Sequence, residues 1–387
     1  MNDRYEKYCT GCGLCASFNK ASLQKDSKGF VHPVEADGKW LKRICPAAGN
    51  QNCWMDGTTW GHYKSVQFGW SSDENLRERA SSGGALTEIA SFMLKENLVD
   101  AIIHTCVTDI NPTGTQPCIS TTREELKARC GSRYSISHPL EIISTLDLTK
   151  RYAFIGKPCD VIALRNFLNL NEEYKQVIAY TLSFFCAGLP SDTAQDKLLK
   201  ELGCDREECK SVVYRGNGWP GFATATDINS NEYKMDYDSS WGKILGRDIM
   251  PACRFCIDGI GEAADIACCD GWYLNIDKTP DFSEHEGRNI VFARTESGNK
   301  LLQKVIEAGN LIAEDFIGFE SDMGYIQHFQ RERRETMLAK RIAMSIMFKP
   351  FPRYSYKNLL RYYRGSEFKY SWWTFKGTIK RVLQRKI

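Results

Sequence analysis

Tyr152-Ala153-Phe154-Ile155-Gly156-Lys157-Pro158-Cys159 reads as a buried strand running into a turn, and Asp160 to Leu168 as the helix that follows. The apolar run from Gln176 to Phe185 is a second strand, and its end delivers Cys186-Ala187-Gly188. Strand, turn, helix and strand in that order make an α/β unit. Successive strands of such a unit lie parallel and adjacent, because a right-handed crossover packs the helix back onto the sheet. Cys159 and Cys186 therefore arrive at one carboxyl edge, where open α/β sheets bind ligands. Further on, Cys253-Arg254-Phe255-Cys256 follows Pro251 with a two-residue gap. Four thiols from three loops can close a metal cage there. Two alternatives stay open. Cys159 and Cys186 can be small buried residues, since free Cys is among the most buried types, and Cys253 with Cys256 can be a redox dithiol.

Upstream, Val99 to Val107 reads as a further buried strand and Arg123 to Arg129 as a short helix. Before them, Ser81-Ser82-Gly83-Gly84 runs straight into a helix from Ala85 to Asn97, with Leu86, Ile89, Ala90, Met93 and Leu94 on one face. The serines are expected to cap that helix. Exposed amides, the positive dipole end and the bare glycines suit an anion such as a pyrophosphate; an ordinary serine cap with a flexible glycine pair fits the same residues. Gly131-Ser132-Arg133-Tyr134 sets an Arg beside an aromatic in one loop, a pairing for phosphate and ring. Downstream, the Gly-rich turn Tyr214 to Gly221 and the strand leading into Asp270-Gly271-Trp272 are site candidates by position.

Outward again, at the N-terminus, Cys9-Thr10-Gly11-Cys12-Gly13-Leu14-Cys15 is answered by Cys45-Pro46. Three thiolates of one tight loop, a distant fourth and a Pro after it form the bacterial ferredoxin pattern for a [4Fe–4S] cluster. Gly11 and Gly13 suit the loop, whose wrapping angles resist a Cβ. A zinc knuckle also takes four thiolates, but it usually pairs two separated two-Cys knuckles. No second complete run of this kind follows, so this module holds one cluster. Cys53 is an extra ligand or a half-buried thiol. Cys106, Cys118, Cys130, Cys204 and Cys209 lack such spacing and read as packing or surface thiols. A strand from Tyr63 to Trp70 places a domain boundary near residue 60.

The chain has 387 residues, 42% hydrophobic and 26% charged, enough to bury a sizeable core in two or three domains. Sixteen Cys without a secretory signal fit a reducing compartment, where thiols stay free for metal and redox work, so a cytoplasmic protein is expected. The longest apolar run, Val177 to Pro190, is too short and too polar to span a bilayer. Net charge is +3, but residues 331–387 carry sixteen Lys or Arg against three acids, leaving the body acidic. Aromatic and aliphatic residues interleaved with that charge suit amphipathic helices on an anionic membrane, which would place the protein peripherally at its inner face. A helix docking on the acidic body or on a partner subunit fits equally. Nucleic acid is not expected, since no binding motif accompanies the charge.

Taken together, Ser81-Ser82-Gly83-Gly84, Gly131-Ser132-Arg133-Tyr134, Gly156-Lys157-Pro158-Cys159, Cys186-Ala187-Gly188, Cys253-x-x-Cys256 and Asp270-Gly271-Trp272 resemble the coenzyme F420 hydrogenase/dehydrogenase beta-subunit family over about residues 1–310. The resemblance implies an iron–sulfur flavoprotein with FAD between a mixed α/β core and its inserted loops, and a cluster beside the isoalloxazine. Carried over, Ser81, Ser82, Gly83, Gly84 and Arg133 would hold the flavin phosphates and ring, with Tyr134 and Lys157 in the same cofactor-binding set. Cys159, Cys186, Cys253 and Cys256 would hold an inner cluster and Cys9, Cys12, Cys15 and Cys45 an outer one. Relatives commonly have Thr at position 157, Gln at 160 and Gly at 269. The expected architecture is a ferredoxin-like module (1–60), a mixed α/β flavin-binding core in two parts (61–150 and 151–330) and a basic helical tail (331–387). The expected function is electron transfer between FAD and two [4Fe–4S] clusters, coupling a hydride-type substrate, F420-like or other, to ferredoxin. The alternative is a non-catalytic electron-transfer subunit of a larger oxidoreductase.

Overall fold

The computed structural model describes residues 7–384. A short hairpin of β1 (Ser22–Lys25) and β2 (Val31–Val34) lies between the helices Leu14–Ser17 and Gly38–Ile44. Asp37 caps the second of these, accepting the N–H groups of Lys39 and Trp40. The body is built on β3 (Ser65–Ser71), β4 (Ala101–Thr108), β5 (Asn111–Ser120), β6 (Tyr152–Gly156) and β7 (Ile178–Phe184). After a separate antiparallel sheet of β8 (Cys209–Val213), β9 (Ala223–Asp227) and β10 (Glu232–Met235), the chain returns to the body with β11 (Ile266–Asp270), β12 (Asn289–Ala293) and β13 (Leu311–Asp315).

The main sheet has the order β13-β3-β12-β11-β7-β6-β4-β5. Its centre, β11, β7, β6 and β4, is parallel, as the strand–turn–helix–strand reading expects, while both flanks are antiparallel. Side chains alternate across a strand, and the two faces are packed accordingly. Ile103 and Phe154 turn to the Pro158–Leu168 helix with Val161, Ile162 and Leu164. Their neighbours Ile102 and Ala153 turn to the opposite layer, where Ile89 and Met93 of the Ala85–Lys95 helix meet Leu301 and Leu302 of the Glu296–Glu307 helix. Burial on both faces is why β6 reads as an unbroken apolar run.

Three local expectations shift. The strand expected from Gln176 begins at Ile178, because Glu172–Val177 closes as a helical turn first. The helix expected to reach Asn97 ends at Lys95, with Asn97 beyond it in the left-handed conformation at φ +51°. The serine cap is not formed: Gly84 is the N-cap at φ +73° with no side-chain cap bond, and Asn289 Oδ1 on β12 accepts the Ala85 N–H instead at 3.1 Å.

A separate apolar core joins the chain's two ends to the body. Tyr8, Phe30, Leu41 and Met55 pack there with Phe255 and Ile257 and with Met337, Met344, Phe351, Leu359 and Tyr362. The last five come from the basic C-terminal segment, whose helices are Met337–Ile346, Tyr356–Tyr363 and Phe368–Leu383. That segment is pinned further by Arg334, whose Nη2 lies 2.5 Å from Glu262 Oε1 with both side chains fully buried. Among the described residues no helix is long and apolar enough to cross a membrane.

Candidate functional site

The four parallel strands end at one cavity of about 290 Å³. Its lining takes His104 and Thr105 from β4, Gly156-Lys157 after β6, Phe184 to Gly188 from β7 and its loop, and Cys268 to Asp270 from β11. Ser81, Ser82, Gly84 and Gly131 to Tyr134 close the other side. All the residues expected to bind the cofactor, except Gly83, thus share one wall or another of this cavity. A Cβ on Gly83 would come within 2.9 Å of Arg288 Cα and Trp70 Cβ, so that glycine serves a close backbone approach. The serines are also engaged: Ser81 Oγ accepts the Ser132 N–H, joining the two loops, and Ser82 Oγ donates to the Arg288 carbonyl at 2.8 Å.

Arg133 supplies the clearest opening for a ligand. Its Nη1 donates to the Val212 carbonyl at 3.0 Å, while its buried Nε has no partner. An unsatisfied buried donor on a charged group costs free energy unless something accepts from it, and burial already works against this guanidinium. Opposite it, Arg215 makes a two-pronged pair with Asp270, at 2.9 and 3.0 Å. Burial opposes the Arg215 charge, but Asp270 more than offsets it and keeps the guanidinium charged. The Arg215 guanidinium sits 5.2 Å over Trp272, which stacks on Trp219 at 4.6 Å and 9°. The Gly-rich turn and Asp270-Gly271-Trp272 thus form one assembly.

A second cavity, of about 60 Å³, lies behind the first and shares Lys157, Cys186, Gly188 and Leu189 with it. Cys159, Cys186, Cys253 and Cys256 line it together. Burial pushes Cys186, Cys253 and Cys256 each up to about 11; Cys253 adds to it at Cys186 and Cys256 at Cys253, while at Cys256 Arg333 opposes it and Asp258 adds to it. Four half-buried thiols such as these become ligands only when a cation holds them as thiolates. The expected outer set also converges, for Cys9 feels Cys45 and Cys15, and Cys12 feels Cys15 and Cys9. Burial and then Cys12 push Cys45 up to about 12. Gly11 and Gly13 adopt φ +70° and +87°, the angles foreseen for the wrapping loop. His138 Nδ1 bonds the Gly11 carbonyl at 2.7 Å and ties the loop to the body.

The spacing of the thiols tests which metal fits. Among the described residues, no three of these sulfurs lie within 4.8 Å of one another. A single tetrahedral zinc, with bonds of about 2.3 Å, would draw its sulfurs closer than that. An all-sulfur set of four donors is the kind that would hold a multi-iron cage. Cys53 is exposed, with its thiol donated to the Asn50 carbonyl at 3.1 Å. Cys106 with Cys118, and Cys204 with Cys209, are hydrogen-bonded pairs elsewhere.

Three contacts escape any local reading. Arg333 Nη1 and Gln330 Nε2 both donate to the Cys186 carbonyl at 3.0 Å, and Arg333 Nη2 to Ala187 at 2.5 Å. A side chain of the basic segment therefore fixes the loop carrying an inner thiol.

Residues 66–144 match the family model for the coenzyme F420 hydrogenase/dehydrogenase beta subunit N-terminus, and residues 149–317 that for its C terminus. The coenzyme F420 hydrogenase subunit beta of Methanococcus voltae is 21% identical over 283 residues, 71% of this chain and 92% of that protein. The chloroplastic 7-hydroxymethyl chlorophyll a reductase of Oryza sativa subsp. japonica is 24% identical over 303 residues, 77% of this chain and 61% of that protein. A chain of the F420-reducing [NiFe] hydrogenase complex from Methanosarcina barkeri has the same fold, with a TM-score of 0.58 at 20% identity, covering 76% of this chain and 97% of that one. The chain belongs to the coenzyme F420 hydrogenase/dehydrogenase beta-subunit family, a family of redox proteins.

Proposed function

We propose that this chain is an iron–sulfur flavoprotein oxidoreductase that passes electrons between FAD in the larger cavity and two [4Fe–4S] clusters at the two sets of four thiols. One observation carries the reading: Lys157, Cys186, Gly188 and Leu189 wall both the cavity with the unpartnered Arg133 Nε and the cavity lined by Cys159, Cys186, Cys253 and Cys256. When bound, flavin exchanges electrons two at a time with an organic substrate, and clusters carry them singly.

The chain's own residues would do the following. Ser81, Ser82, Gly84 and Arg133 hold the anionic part of the cofactor, with Tyr134 beside them. Lys157 presents a buried positive charge between the two cavities: burial opposes it, but Asp160 and Cys159 more than offset that, holding the ammonium above its ordinary range. Arg333 holds the Cys186 loop in place. The organic partner is a hydride donor or acceptor, F420-like or other, and the one-electron partner is ferredoxin or an oxidoreductase subunit. The basic C-terminal helices contact an anionic membrane surface from the cytoplasmic side.

A second reading, an electron-transfer subunit without an organic substrate of its own, draws on the fold shared with a chain of a hydrogenase complex. Anaerobic titration separates the two. The first reading expects the purified chain to be bleached by reduced ferredoxin and reoxidised by a hydride acceptor at the flavin. Bleaching without turnover of any small molecule favours the second.

A further inference from the structure

The Phe368–Leu383 helix leaves four large apolar residues exposed. Its buried positions are Ser371, Thr378 and Val382, one stripe at 3.6 residues per turn. Val382 reaches the core of Met344 and Leu359. The two small polar residues satisfy their hydroxyls locally, Thr378 on the Thr374 carbonyl at 2.8 Å and Ser371 with the Ser366 hydroxyl at 2.7 Å. Away from that stripe, Phe368 is 73% exposed, Trp372 45%, Trp373 58% and Leu383 69%. Exposed Lys369, Lys376 and Lys380 are interleaved with them. A helix that completes a water-facing fold buries its apolar stripe and exposes its polar one. This helix does the reverse, which leaves the burial of two indoles and a phenyl ring to another surface.

Charge says which surface. From residue 336 to 387 the chain has thirteen Lys or Arg and one acid, Glu367. The Lys369 ammonium lies 4.9 Å over Trp373 and that of Lys376 4.7 Å over Trp372. Cores of protein–protein interfaces are depleted in Lys. Helices lying in a bilayer interface combine Lys and Arg with Trp, Phe and Leu, the aromatic rings at headgroup level. The neighbouring Met337–Ile346 helix, which packs against this one, also exposes Ile342 and Ile346.

We propose that the face of Phe368, Lys369, Trp372, Trp373, Lys376 and Lys380 docks on an anionic lipid bilayer. The proposal rests on the membrane part of the proposed function and needs neither cofactor. Lysines set the requirement for anionic lipid, and the rings supply the apolar burial.

The test is flotation of the full chain, purified anaerobically, with vesicles of phosphatidylcholine alone or with about one third phosphatidylglycerol. Flotation with the anionic vesicles only, reversed at about 0.5 M salt where charges are screened, is expected. Lys376→Gln with Lys380→Gln should lower partitioning roughly thirtyfold, and Trp372→Ala with Trp373→Ala should abolish flotation at low salt. Iron, flavin and thermal midpoint are measured on the same samples and should not change, because these side chains are exposed. A cofactor-replete chain that stays unfloated overturns the membrane reading and leaves the face to a protein partner; a double Trp variant that floats like the parent keeps the membrane reading and overturns this face as its site. A chain that floats but contains neither iron nor flavin upholds the lipid face and refutes the redox reading.

Discussion

Lys157 Nζ lies 2.8 Å from Asp160 Oδ2 in an ion pair whose side chains are 5% and 0% exposed. The same ammonium bonds the Ser137 hydroxyl at 2.8 Å, and Asp160 Oδ2 also accepts the Lys157 N–H at 3.1 Å. Asp160 Oδ1 is buried without a partner, so this carboxylate depends heavily on Lys157. Removing one member of a buried pair typically costs about 3–5 kcal/mol, while a neutral replacement of both is often tolerated. Lys157→Thr alone should therefore lower stability by about 3 kcal/mol, and Lys157→Thr with Asp160→Gln should recover to within about 1 kcal/mol of the parent. Anaerobic denaturant titration of the single and double variants checks this. A neutral Lys157→Thr would contradict the pairing account.

His104 sits in the wall of the larger cavity, its Nε2 2.8 Å from Ser120 Oγ and 3.5 Å from Cys118 Sγ. Burial first, and Arg129 second, depress its pKa to about 4, against the opposing pull of a backbone hydrogen bond at Thr105 and of Glu125. The unfolded chain takes up the proton near the ordinary value of about 6.5. Stability from this group is thus complete above that value and is lost as pH falls from about 6.5 to about 4, by up to about 3 kcal/mol. His104→Gln keeps a neutral partner for Ser120 and removes the titration. Thermal midpoints of parent and variant at about pH 7.5 and about pH 5 should show the parent losing more on acidification. Equal losses would mean that His104 stays accessible to protons.

How much of this was legible depended on how local each signal is. Cys9, Cys12 and Cys15 announce themselves by spacing within one loop, and Gly11 and Gly13 by the backbone angles that loop needs. The meeting of Cys159 with Cys186 followed from the handedness of a β–α–β crossover, confirmed by the parallel register of β6 on β7. The serine cap failed because Asn289, 204 positions away, takes that role; a helix N-terminus in sequence does not reveal which tertiary acceptor will win. Arg333 was invisible as a contributor to the site for the same reason, standing 147 positions from the Cys186 carbonyl it holds. In sequence it was one charge among sixteen. The outward Trp372 and Trp373 were legible as aromatic residues, but only the packed Ser371, Thr378 and Val382 reveal which face is covered.

Arg133→Met keeps the stem of the side chain and removes the unpartnered donor. A charge-assisted hydrogen bond contributes about 1.5–3 kcal/mol, so FAD affinity should fall roughly tenfold to a hundredfold, with the iron content unchanged. Fluorescence titration of flavin into the deflavinated chain measures it. Unaltered affinity would remove Arg133 from the cofactor-binding set.

The two thiol sets should fail differently. Cys12→Ser lies in the N-terminal loop, outside the lining of the larger cavity, and should halve the iron while the flavin stays bound. Cys159 lies two residues after Lys157, which walls both cavities, so Cys159→Ser should lose iron and flavin together. Iron and flavin counts on the two variants, side by side, decide it; a Cys159→Ser chain with full iron and full flavin would move the inner site elsewhere.

The central claim is that one chain holds two iron–sulfur clusters and one flavin, and metal, sulfide and flavin analysis of the anaerobically purified protein tests it most directly. About eight irons and eight acid-labile sulfides per chain, with one FAD and the visible absorption of both chromophores, is the predicted result. Stoichiometric zinc in a colourless protein without labile sulfide would contradict it.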